Sequence, residues 1–131
     1  MKLEWISFIF FSLSAAIHVG FFVLESVLFQ KTGGHKIFKI KESDHAAVQI
    51  WALNQGFYNL FLAVGMLLGL FFVIDGRREA AGILVSFCGL SMIGAGLALF
   101  FSARHLRRGA LIQMLPPAIG FLFLVAHIVK L

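Results

Sequence analysis

Residues 51–69 read WALNQGFYNLFLAVGMLLG, and no Asp, Glu, Lys or Arg interrupts the chain from Ala46 to Ile74. About 20 apolar residues rising about 1.5 Å each cross a bilayer core of about 30 Å, so this stretch predicts a membrane-spanning helix. Its first half nevertheless carries Asn54, Gln55, Tyr58 and Asn59. Polar side chains at that depth are costly unless they face protein, water or a ligand.

The same pattern recurs outward from this segment. Charge-free runs also lie between Glu4 and Glu25, from Ala80 to Ala103 and from Gly109 to Val129. Of the 131 residues, 60% are hydrophobic and only 13% charged, the latter about half the ordinary share. Four such runs leave little chain for a soluble domain. The expectation is an all-α, membrane-embedded four-helix bundle, a single domain over 1–131 with short loops and spans at about 5–29, 46–74, 80–103 and 109–129. Barrel strands would instead alternate in segments of about ten residues. Lys2 and the "SLSAA" stretch resemble a leader, but the apolar run is longer than a signal core and Glu4 fits a basic leader badly, so the first span is expected to remain. Cys88 has no partner for a disulfide and reads as a small buried hydrophobe.

Lys31, Lys36, Lys39, Lys41, Arg104, Arg107 and Arg108 fall in connections one and three, against Lys2, Arg77, Arg78 and Lys130 at the other end. Positive residues in short loops favour the cytoplasm. The expectation is a multi-pass protein of the cell inner (plasma) membrane, with loops 30–45 and 104–108 cytoplasmic and both termini outside. The net charge of +5 then reports topology and attraction to anionic lipid rather than a nucleic-acid partner. Ile37, Phe38 and Ile40 among lysines suit either an interfacial segment or a solvent loop. Ser43 or Asp44 is expected to cap the second helix.

At about 100° per residue, Gln55, Tyr58 and Asn59 fall about 100°, 40° and 140° from Asn54, which predicts one polar face. His18 and Glu25, seven apart, share a face within about 20°, and Ser14 lies one turn before His18. Measured from the inner ends, these two polar faces overlap in depth. Gln113 enters from the same side, ahead of Pro116 and Pro117, which remove backbone donors and are expected to kink the fourth helix. His127 belongs near the outer interface. Together these residues predict an enclosed polar pocket. In the third span, Gly82, Ser86, Gly94, Ala98 and Ser102, with Gly89 and Gly96 nearby, predict close helix packing or, alternatively, a homo-oligomer interface; Gly65 and Gly69 form a further small-residue pair.

Each site residue has a plainer reading. Glu25 could snorkel to the headgroups beside Lys31, His18 could bond a backbone carbonyl, and the asparagines could be interhelical glue.

The stretches SAAIHVGFFVLE, NQGFYNLFLAVG and IQMLPPAIG together resemble an uncharacterised family of small bacterial membrane proteins, domain-of-unknown-function family thirteen-oh-four. The resemblance implies four spans, a His…Glu pair in the first, an NQGxYN stretch in the second and a Q…PA stretch in the fourth. It is carried by His18, Glu25, Asn54, Gln55, Gly56, Tyr58, Asn59, Gln113, Pro117 and Ala118. The IGAG of the third span matches only loosely, and the resemblance supplies no activity.

Three functions stay open. In the first, Glu25 and His18 are catalytic acid–base groups acting on a small apolar or lipid-like substrate, with Ser14, Asn54, Gln55, Tyr58, Asn59 and Gln113 as ligand-binding groups. One histidine and one carboxylate are too few for zinc, and no cofactor or phosphate loop is expected. In the second, Glu25 is the proton-coupled group of a small oligomeric transporter. In the third, the polar cluster only locks a non-catalytic helper whose partner is membrane lipid.

Overall fold

The computed structural model describes residues 2–29, 31 and 40–129, apart from the side chain of Leu3. Ile37 and Phe38, expected at an interface, lie outside the described residues. Helix α1 (Leu3–Phe22) continues into a π-helical turn over Val23–Val27. A 3₁₀ turn, Glu42–Asp44, leads into α2 (His45–Ile74). Then come α3 (Arg78–Ser102), a 3₁₀ turn at Arg104–Leu106 and α4 (Arg107–Val129). No strand occurs among the described residues.

The helices form an up-and-down ring: α1 packs on α2 and α4, and α3 packs on α2 and α4, while α1 and α3 barely touch across the middle. Short connections force antiparallel neighbours. All four are long and apolar enough to span a membrane, over Glu4–Val27, Glu42–Ile74, Arg78–Ser102 and Arg104–Val129. At 30 residues, α2 is about 45 Å long, so its first turns reach beyond a hydrocarbon core of about 30 Å.

The turn between α2 and α3 depends on one glycine. Gly76 has φ 79°, a left-handed conformation that suits a residue without Cβ. Its amide and that of Arg77 then donate back to the Val73 and Phe72 carbonyls, at 3.3 and 2.9 Å, closing the end of α2. At the start of α2 the expected cap is absent. Asp44 holds the N-cap position without a side-chain bond to the helix, and the Ser43 hydroxyl donates instead to Asp44 Oδ1 at 2.9 Å. The preceding 3₁₀ turn leads the chain directly into the helix, and acidic side chains there still complement the positive end of α2.

Size governs which side chains go inside. The core is Phe11 and Ala15 of α1, Ala63, Met66 and Leu70 of α2, and Val85, Cys88 and Met92 of α3, with Phe121 and Leu124 of α4 packed against it. Phe61, Phe71, Phe87, Phe101, Leu122 and Ile83 point outward. No more than 28% of any span's most apolar window is buried, so most of each helix offers apolar surface to its surroundings. With lipid as the solvent, burying a large hydrophobe gains little, and helices associate by fitting closely. Gly56 seats Ser26, Gly69 seats Val85, Gly89 seats Phe121 and Gly120 seats Phe11, so each of the four interfaces has a notch filled by a neighbour. The small residues of α3 divide. Gly89 and Gly96 are buried, whereas Gly82, Gly94, Ala98 and Ser102 face outward. Pro116 and Pro117 are buried inside α4, whose helix continues across both.

Candidate functional site

The site begins where α1 stops being an α-helix. From Val23 the backbone widens, and the Leu28 amide donates to the Val23 carbonyl at 2.8 Å, closing a π turn. That turn carries Glu25 off the α-helical register it would otherwise share with His18. It approaches α2 at Gly56, where a Cβ would overlap Ser26 Oγ and come within 3.2 Å of Glu25 Cβ. Glycine at this position is what permits the contact.

Two side-chain bonds hold the approach on either side of Gly56. Ser26 Oγ donates to the Leu53 carbonyl at 3.1 Å, and Asn59 Nδ2 donates to Glu25 Oε2 at 2.8 Å. Leu53, Gly56 and Asn59 recur every three residues, the spacing of one helix face. Asn59 is buried and Glu25 half-buried. Among the described residues Glu25 has no ion-pair partner, and Asn59 is its one hydrogen-bond partner.

Beside this pair lies a groove of about 570 Å³, lined by Glu25, Phe29, Ile40, Val48, Trp51, Ala52, Asn54, Gln55, His105 and Leu106. Phe29 and Ile40 flank the first connection, and His105 and Leu106 belong to the third. The groove is therefore the mouth of the bundle at the end bearing those connections, and it opens outward rather than being enclosed.

The structure thus brings together Glu25, Asn54, Gln55 and Asn59, and leaves the other expected residues elsewhere. His18 is buried at 1% exposure, with Nδ1 2.9 Å from the Ser14 carbonyl. Since a carbonyl only accepts, Nδ1 carries a proton. Ser14 is also buried, and its hydroxyl donates to the Phe10 carbonyl at 2.8 Å. Both spend these polar atoms on their own helix. Tyr58 points about 100° away from Asn59 and is 56% exposed. It lines a separate groove of about 400 Å³ with Phe61, Leu62, Gly65, Leu84, Phe87 and Cys88, on the flank where α2 meets α3. Gln113 is half-buried at the α3–α4 contact, its Cγ against Gly96.

Among the lining residues that the sequence reading did not assign to the site are Trp51, Phe29 and His105. Trp51 carried a usable signal, since tryptophan at the end of a span marks the membrane interface. Phe29 and His105 carried none. Among the described residues the mouth offers one carboxyl, two carboxamides and one imidazole in mainly apolar surroundings. No group of three or more His, Cys, Asp or Glu side chains suited to a metal gathers among the described residues.

No curated protein and no solved structure matches this chain. One family model does, over residues 12–125, which takes in all of α2 and α3 and most of α1 and α4. The chain belongs to the family described as Protein of unknown function (DUF1304).

Proposed function

We propose that this is a multi-pass protein of the cell inner (plasma) membrane that binds a small molecule or lipid at the mouth of its bundle. Glu25 is the acid–base group it presents, with Asn54 and Gln55 as hydrogen-bonding groups beside it. The bond from Asn59 to Glu25 at 2.8 Å carries the reading, because it fixes a carboxyl at the wall of an open groove. Asparagine and glutamate serving only as interhelical glue would need no such groove, nor two exposed carboxamides one turn away. A ligand there can exchange a proton with Glu25, the minimal step of an isomerisation or proton-transfer reaction. His18, Ser14, Tyr58 and Gln113 have no part in this reading, because none of them lines the groove.

The mouth faces the cytoplasm. Seven of the chain's 11 Lys and Arg residues lie in the two connections that frame it, and such residues are retained on the cytoplasmic side.

The test is to purify the wild type, Glu25→Gln and Asn54→Ala, then compare co-purifying lipids and small molecules by mass spectrometry alongside thermal unfolding. Retained fold with lost ligand in both variants supports the reading. A ligand content identical in all three proteins, or a wild type that carries none, refutes it and leaves a bundle locked by a polar contact.

A further inference from the structure

The groove's chemistry is lopsided in a way that identifies its ligand class. This inference rests on the binding role proposed above and names what is bound. Glu25 turns one carboxyl oxygen to Asn59, while Oε1 has no protein partner among the described residues. A carboxylate taken partly out of water, with a single amide donor, lacks most of the hydrogen bonds and all of the opposite charge that would offset its desolvation.

Among the described lining residues no lysine or arginine supplies that charge, and the one other titratable group is His105. Arg107, next in sequence to Leu106 of that wall, donates from Nε to the Phe100 carbonyl at 3.1 Å and lies over the Phe100 ring. Arg104, Arg108, Lys31 and Lys41 are exposed at the same end, free to meet lipid headgroups. His45 meets Phe29 edge-on, with ring centroids 6.5 Å apart, and lies close to the Ile40 carbonyl.

What the groove does supply is what an organic ammonium needs. The exposed indole of Trp51 can attract a cation through its ring quadrupole. The carboxamide oxygens of Asn54 and Gln55 accept N–H bonds. Ile40, Val48, Ala52 and Leu106 offer an apolar wall to a hydrocarbon tail. A volume of about 570 Å³ falls within the range of small-ligand sites.

We infer that the groove binds a single-chain lipophilic amine, its ammonium paired with Glu25 beside Trp51, its tail along Val48 and Leu106. Such a ligand reaches the mouth by partitioning first into the surrounding lipid.

Octylammonium, octanol and octanoate share a tail and differ in head charge, so they isolate the claim. The chain has two tryptophans, and Trp5→Phe leaves Trp51 as the only indole, inside the groove. Each probe is titrated into this variant in phosphatidylcholine nanodiscs while Trp51 emission is followed, with empty nanodiscs as blank. The amine should give a saturable change at a concentration at least tenfold below either competitor. Adding Glu25→Gln should bring the amine to the level of octanol. Equal binding of octanol or octanoate to the parent protein overturns the amine assignment but leaves a ligand groove in place. Unchanged amine affinity in Glu25→Gln overturns it as well. Absence of a saturable change with any probe defeats the groove itself. The three-probe comparison needs no change at Glu25, so the outcome stands even where Glu25→Gln fails to fold.

Discussion

Asn59 and Glu25 are the pair on which most depends, and they behave as different kinds of residue. Asn59 is 6% exposed and donates across the helix boundary. Asn59→Ala removes the sole protein donor to a half-buried carboxyl, so thermal unfolding should show a loss of about 1–3 kcal/mol. Asn54→Ala, at an exposed position, should stay within about 0.5 kcal/mol of the parent in the same melts while weakening ligand retention. If both substitutions cost equally, Asn54 is structural and its place in the site is lost. At this scale the sequence was partly legible. Angles and depth together grouped Asn54, Gln55 and Asn59 with Glu25; Asn59 bonds Glu25, and Asn54 and Gln55 share the groove's lining with it. This arithmetic failed for Tyr58, which lies about 40° from Asn54 but one turn farther along α2, where it lines the α2–α3 flank instead of the mouth. It failed for Ser14 and His18 because a hydroxyl or imidazole can be satisfied by the preceding turn of its own helix, which spacing alone does not reveal.

The π turn is the element that sequence periodicity could not anticipate. The face shared by Ser14, His18 and Glu25 assumes an unbroken α-helix, whereas the backbone widens at Val23 and re-aims the side chains beyond it. Gly56 is the matching feature on α2. Gly56→Ala drives a methyl into Ser26 Oγ and should destabilise by about 1–3 kcal/mol while displacing Glu25 from Asn59. Gly82→Ala meets nothing within 4 Å and should be neutral or raise stability by about 0.5–1 kcal/mol through helix propensity. Comparing the two melts separates a steric requirement from a general dislike of alanine. Equal effects would remove the argument that Gly56 is there for the contact. Cap chemistry was the other misreading at this scale: Ser43 and Asp44 bond each other because a 3₁₀ turn already leads into α2.

For the whole molecule, four charge-free runs were enough to foresee four antiparallel helices, since lipid admits few other ways to satisfy a backbone. The order around the ring was not legible, although the Glu4 carboxyl lying 3.6 Å from His127 Nε2 now ties the start of α1 to the end of α4. The orientation proposed above is testable with one native cysteine to remove. In a Cys88→Ser background, Lys41→Cys should resist a membrane-impermeant maleimide until cells are opened, and Gly76→Cys should react in intact cells. The opposite pattern would turn the mouth outward.

The inward placement of small residues beneath an outer coat of phenylalanine and leucine reverses the usual rule for substitutions. In a saturation library, Phe61, Phe87 and Leu122 should accept nearly any oily replacement, whereas Ala63 and Ala110, both at 0% exposure, should reject anything bulkier. Evolutionary drift in such a chain would accumulate on its greasy exterior. Its identity would be kept by alanines and glycines too plain to draw the eye.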